Sequence, residues 1–124
     1  APKITIPHQL NYTDLSRDRS VTDSYPKDPL RHIKYSAPLY LGTLEGCREV
    51  MERAHQIRDR MLVQAAGEDR IVDVEATKAF FQRLGSPDKE LKIYPDSFHE
   101  IFNDLNRKEV VDDLLTYLRQ LPNE

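Results

Sequence analysis

Met61-Leu62-Val63-Gln64-Ala65-Ala66-Gly67-Glu68-Asp69-Arg70-Ile71-Val72-Asp73 runs through a helical pattern into Glu90-Leu91-Lys92-Ile93-Tyr94-Pro95-Asp96-Ser97-Phe98-His99-Glu100, and this stretch decides the fold. It reads as strand, acidic loop, crossover helix, strand and histidine loop. From Met61 to Ala66 only Gln64 is polar, as expected of a strand covered on both faces. Val74, Thr77, Phe80, Phe81 and Leu84 recur at helical spacing, with Gly85 as the C′ residue and Pro87 beyond it. Leu91, Ile93 and Tyr94 make the second strand, which Pro95 ends. Two apolar runs joined by one helix predict a βαβ unit with parallel strands. Asp69 and His99 each follow the apolar part of a strand by a few residues, which puts both at the carboxyl edge of the sheet, where open α/β sheets bind their ligands. Neighbouring strands lie about 4.8 Å apart, so loops leaving one edge can bring a carboxylate to an imidazole.

Glu68, Asp69 and Asp73 compete for that carboxylate role. Asp73 directly precedes the helical pattern and is assigned to its N-cap, where it accepts a first-turn N–H bond worth about 1 kcal/mol. Glu68 adjoins Asp69 and points away if Asp69 faces the site. Asp69 is left, although a loop acid of this kind also commonly binds local backbone N–H groups. Among the four histidines, His8 and His32 lie in turn-rich polar segments and His55 sits among charged residues. His99 differs by standing in a short loop between an apolar strand and a helix. Ser97 is no nucleophile candidate, because no Gly-x-Ser-x-Gly turn surrounds it.

These residues resemble a known family. Gly67-Glu68-Asp69-Arg70-Ile71-Val72-Asp73, Phe80-Phe81, Gly85-Ser86-Pro87-Asp88-Lys89, Tyr94-Pro95 and His99-Glu100-Ile101-Phe102-Asn103 are similar to the C-terminal half of monoacylglycerol lipases and lysophospholipases. These are serine hydrolases of the α/β-hydrolase fold. Leu15-Ser16-Arg17-Asp18 and Asp28-Pro29-Leu30 resemble the end of that family's cap. The resemblance implies an α/β fold of parallel strands with flanking helices, incomplete without its N-terminal half. Residues 1–30 would end the cap, and residues 31–124 would belong to the core. In the implied mechanism a serine attacks an ester carbonyl, and His99 takes its proton and later hands it to the leaving alcohol. Asp69 accepts a hydrogen bond from the other ring nitrogen, and Val72 resembles a position near the acyl site, with a buried core role as the alternative. Monoacylglycerols, lysophospholipids or simpler esters are the implied substrates, with no cofactor.

The family's chain order is Ser, Asp, His. No Gly-x-Ser-x-Gly occurs in the 124 residues, so the nucleophile is expected on an N-terminal partner segment, in the same chain or a second one. Alone, these residues are expected to be inactive and to need that companion to complete the sheet. A peptidase using the same Asp and His stays open, as does a non-catalytic piece that only associates with a partner chain.

The rest of the chain is less specific. A net charge of −3 offers no basic field for nucleic acid, and Cys47, as the one cysteine, can form no internal disulfide. No apolar run reaches transmembrane length, and a cytoplasmic setting is the default. Leu44, Cys47, Val50, Met51 and Ala54 predict an amphipathic helix over 43–57, capped by Thr43, with Cys47 as a small buried hydrophobe. Ile4-Thr5-Ile6 is a short extended piece closed by Pro7. Ser16 is the expected cap of a short helix that carries Val21 and ends before Pro26. A plain surface loop is the alternative to a cap for this region. Val110, Val111, Leu114, Leu115, Leu118 and Leu121 form one apolar stripe, stopped by Pro122, whose expected task is core packing that holds the sheet and the His99 loop.

Overall fold

The computed structural model describes residues 5–7, 10–31 and 34–121, so the readings made at Ile4, His8, His32 and Pro122 lie outside the described residues. β1 (Thr5–Pro7) pairs antiparallel with β2 (Lys34–Ser36). Between them come α1 (Arg19–Thr22) and two 3₁₀ turns, Tyr12–Asp14 and Tyr25–Lys27. Next are α2 (Ala37–Arg53), β3 (Met61–Ala66), α3 (Val74–Arg83) and β4 (Lys89–Tyr94). A 3₁₀ turn, Ile101–Asn103, then leads into α4 (Arg107–Arg119). β3 and β4 are parallel neighbours, in register from Met61 opposite Lys89 to Ala66 opposite Tyr94. The βαβ unit is as the apolar spacing predicts.

The crossover helix begins where its cap lies, with the Asp73 carboxylate accepting from the Glu75 N–H at 2.9 Å. It ends without a left-handed glycine, since no described glycine has positive φ. Leu84 leaves the helix at φ −55° and ψ 130° instead. Lys89 Nζ donates to the Phe81 and Leu84 carbonyls at 3.0 and 2.8 Å, supplying partners that the last turn lacks. Gly85 is needed for space: a Cβ there would collide with the His55 carbonyl oxygen. Gly67 is constrained in the same way, because its Cβ would lie 2.5 Å from the Pro95 carbonyl oxygen.

Several expectations change. The helix predicted over 43–57 starts at Ala37, with Ser36 as its N-cap and Pro38 in the first turn, a position where a missing N–H costs nothing. Thr43 lies inside it and bonds the Leu39 carbonyl at 2.9 Å. Cys47 is exposed, not buried, and Leu44 and Val50 are 52% and 50% exposed. The cause is where α2 meets its neighbours. Gly85 N–H bonds Ala54 O at 3.3 Å and Arg83 Nη1 bonds Met51 O at 3.3 Å, so the contact forms at the helix's carboxyl end. Cys47 only rims a groove shared with Phe80. The cap of α1 is Asp18, whose Oδ1 accepts from the Ser20 N–H at 3.0 Å. Ser16 is buried and donates to the Asn103 carbonyl at 2.8 Å.

The core sits under the carboxyl ends of the paired strands, as a cluster of Ala66, Tyr94, Ile101 and Val110. Gln64, the one polar residue of β3, donates to Tyr94 Oη at 2.6 Å and to the Val110 carbonyl at 2.9 Å. That joins both strands to α4. Tyr94 Oη donates in turn to Asp113 at 3.0 Å. Burial, with this carboxylate nearby, pushes the phenol up to about 12. The apolar stripe of α4 is core along one edge only. Val110 is fully buried, while Val111, Leu115 and Leu118 are 39%, 40% and 46% exposed. Within this chain the helix packs on β3 and on the Ile101–Asn103 turn. Among the described residues no helix is long and apolar enough to cross a membrane.

Two substitutions separate capping from close approach. Asp73→Ala should lower stability by about 1 kcal/mol in urea unfolding. Gly85→Ala should lower it by about 1–3 kcal/mol, as overpacking does. A Gly85→Ala protein with the wild-type urea midpoint would show that the His55 carbonyl yields freely.

Candidate active site

The strand ladder carries on into the loops. Gly67 N–H bonds the Tyr94 carbonyl at 2.8 Å, and Glu68 N–H bonds the Ser97 carbonyl at 3.1 Å. The acidic loop and the histidine loop therefore leave the sheet side by side. The structure brings Asp69 and His99 together, with Nδ1 and Oδ2 2.9 Å apart. Glu68 is exposed, and Asp73 is held by its helix.

Asp69 makes both of the contacts open to it from sequence. Its Oδ1 accepts the Ile71 and Val72 N–H groups at 2.8 and 2.9 Å, which fixes the carboxylate against its own loop. Its Oδ2 is left for the imidazole. Burial alone would raise its pKa, but the Val72 N–H, His99 and the Ile71 N–H together outweigh burial and hold it below the usual carboxylate range. The Asp69 side chain is 10% exposed and that of His99 34%. This arrangement leaves an oriented, accessible imidazole on a nearly buried carboxylate. Such a pair can take a proton from a hydroxyl and stabilise the imidazolium that forms.

His99 and Asp69 border a cavity of about 320 Å³, lined also by Val72, Thr77, Ile101 and Phe102. Val72 is 45% exposed, so its side chain stands at the cavity and not in the core. Ser97 is fully buried and donates to Asn106 Oδ1 at 2.7 Å, a structural role. Among the described residues no cluster of three or more His, Cys, Asp or Glu side chains could hold a metal ion.

Sequence reasoning missed the frame around His99. Asp104 is fully buried and accepts from Phe98 N–H at 2.8 Å, Arg17 N–H at 2.9 Å, Leu105 N–H at 2.9 Å and Arg17 Nε at 3.0 Å. Burial would raise its pKa, but the three N–H donors and the Arg17 side chain together bring it below the carboxylate range. On the other side of His99, the Glu100 N–H donates to the Leu15 carbonyl at 2.8 Å. The Glu100 carboxylate bonds the Tyr25 hydroxyl and lies 3.6 Å from Arg31 Nη2. The Arg31 guanidinium stacks 3.5 Å from the Tyr25 ring centroid. Burial and then Glu100 push the Tyr25 phenol up to about 12. For Glu100, burial is outweighed by Tyr25, Asn103 and Arg31, and its pKa falls. Leu15, Ser16, Thr22 and Tyr25 are all buried, so this stretch packs on the histidine loop and is no plain surface loop. No local signal marks Asp104, since it stands between Asn103 and Leu105 and its partner Arg17 is 87 positions away.

The profile of the serine aminopeptidase S33 family matches residues 1–106. A monoacylglycerol lipase of Mycolicibacterium smegmatis is 30% identical over 119 residues, covering 95% of this chain and 42% of the lipase. An uncharacterized abhydrolase domain-containing protein of Dictyostelium discoideum is 28% identical over 120 residues, covering 96% of this chain and 13% of that protein. The crystal structure of a monoacylglycerol lipase from Paleococcus ferrophilus matches with a TM-score of 0.86 at 23% identity, over 93% of this chain and 45% of that one. The chain thus spans less than half the length of each of these relatives, and its parallel strands with flanking helices are part of an α/β-hydrolase fold. By its match over residues 1–106, the chain belongs to the serine aminopeptidase S33 family.

Proposed function

We propose that this chain is part of a carboxylic ester hydrolase of the monoacylglycerol lipase or lysophospholipase type, with His99 as general base and Asp69 as its orienter. The observation that carries this reading is the 2.9 Å contact between His99 Nδ1 and an Asp69 carboxylate whose other oxygen is tied to its own loop. In the reaction His99 accepts the proton of a serine hydroxyl as its oxygen attacks the ester carbonyl. The imidazolium then protonates the departing alkoxide, and a water repeats the sequence on the acyl-enzyme. Asp69 keeps the proton on Nδ1, so that the other ring nitrogen is the base. The serine and the oxyanion hole come from another segment of the hydrolase, because Gly-x-Ser-x-Gly is absent here.

Residues 1–30 end the cap and residues 31–124 belong to the core in this reading. Val72, exposed at the cavity beside His99, borders the acyl portion of a small lipid or simpler ester. The single cysteine accords with a cytoplasmic setting. A peptidase reading is favoured by the family's own description, and the same two residues would serve it. A panel of monoacylglycerols, lysophospholipids and aminoacyl anilides on the full-length protein separates the two.

In that full-length protein His99→Ala should abolish nearly all ester turnover. Asp69→Asn should lose about 10⁴ in kcat by allowing the wrong tautomer. Asp73→Ala should leave kcat within about twofold, since a cap deletion acts on stability. Equal losses for Asp73→Ala and Asp69→Asn would sink the division between orienter and cap. The 124 residues alone should take no label from a fluorophosphonate, and a labelled serine among them would place the nucleophile here after all.

Acid should weaken the fold. Asp69, Glu100 and Asp104 all have lowered pKa values in the folded protein, so the unfolded chain binds more protons in acid. Their stabilisation is complete above the unfolded carboxylate values of about 4 and is lost as pH falls through the lower folded ones. Urea midpoints should drop between pH 6 and pH 3, and a midpoint that holds or rises would contradict the stated directions.

A further inference from the structure

The residues on either side of His99 both have their N–H donors committed. Ahead of it, the Phe98 N–H points at Asp104 Oδ2, 2.8 Å away. Behind it, the Glu100 N–H meets the Leu15 carbonyl at 2.8 Å. Both anchors depend on the same short segment. Leu15 supplies one acceptor directly, and Arg17 holds the other, donating its backbone N–H at 2.9 Å and countering the charge through its Nε at 3.0 Å. Arg17 Nη2 also bonds Asn106 Oδ1 at 3.0 Å, the atom that accepts the Ser97 hydroxyl. Every residue from Ser97 to Glu100 is thereby tied: Ser97 by Asn106, Phe98 by Asp104, His99 by Asp69 and Glu100 by Leu15.

We infer that Asp104, paired with Arg17, is a positioning residue for His99: it fixes the backbone from which the imidazole reaches Asp69. The inference rests on the reading of His99 as the general base.

Three observations support this role over simple stability. Asp104 is fully buried and its Arg17 partner only partly. An ion pair drawn out of water in this way is seldom more stabilising than apolar side chains of the same volume, whereas it does hold a fixed geometry. Its Oδ2 receives the Phe98 N–H and Arg17 Nε together, so the charge and the loop peptide meet on one atom. The Asp69 carboxylate has separate anchors, the Ile71 and Val72 N–H groups. Each end of the Asp69–His99 bond thus has anchors of its own beyond the backbone ladder that the two loops share. Releasing either one misplaces the base, and a shift of about 1 Å can lower a rate about a hundredfold.

The test uses the full-length hydrolase and a soluble p-nitrophenyl ester, with the folded fraction of each variant measured by circular dichroism below its melting transition. Asp104→Asn keeps the shape but presents an amide NH₂ where an oxygen accepted. Its kcat should fall about ten- to a hundredfold, with KM within about twofold of wild type. In a His99→Ala background the same change should cause no further loss of residual turnover, because the residue acts through the imidazole. Arg17→Lys retains the charge without the fork, and should show the same kcat loss in smaller measure should Asp104→Asn fail to fold. A folded Asp104→Asn or Arg17→Lys enzyme with wild-type kcat, beside an inactive His99→Ala, overturns the positioning role and leaves the base intact. An undiminished loss in the His99→Ala background overturns it as well, in favour of plain structure. Full activity of His99→Ala removes the base and the inference together.

Discussion

The parallel ladder between β3 and β4 does not stop where the strands stop. It extends through Gly67 to Tyr94 and through Glu68 to Ser97, so two loops grow from one set of backbone bonds. A slip of a single residue would turn every side chain of β4 to the other face and move its loop by about 3.3 Å. The Asp69–His99 contact tolerates a few tenths of an ångström at most. Register therefore decides whether carboxylate and imidazole meet. Gln64 guards that register from within, since it binds Tyr94 of the facing strand and Val110 of the helix beyond. Gly67 permits it from outside, where Pro95 leaves no room for a side chain.

Among the described residues Asp104 is the one buried charge. Removing a carboxylate from water costs several kcal/mol, and loss of one partner from a buried pair typically costs about 3–5 kcal/mol. Asp104 meets that demand with three backbone donors and one guanidinium. The exposed ion pairs of α2, such as Arg48 with Glu45 and Glu52, are worth far less, at most about 1 kcal/mol each. Energetically the histidine loop is a more demanding part of the molecule than the long helix beside it.

The βαβ unit was legible because its signals are local: apolar runs, an N-capping Asp73 and a breaker at Pro87. Asp69 and His99 were legible for the same reason, each a fixed few residues past a strand. The start of α2 was not, because Ser36 and Pro38 read equally well as a turn, and the first outward-facing apolar residues blur the period. Exposure of Cys47 could not be foreseen either, since periodicity identifies an apolar face without saying how far a neighbour covers it. The Arg17–Asp104 pair left no trace at all, for its members stand 87 positions apart and no spacing rule reaches that far.

That separation has a consequence for the order in which the molecule assembles. β3 and β4 need only close over residues 67–88, whereas the Arg17 clamp must close a loop spanning most of the chain. Loop closure is entropically dearer for the longer span, and contacts of high sequence separation form late. Contacts that join last, with little else between them, are also the first to open locally. Helices and ladder can thus be complete while the histidine loop still wanders. A native far-UV spectrum in this protein reports the scaffold and carries no guarantee of a poised imidazole.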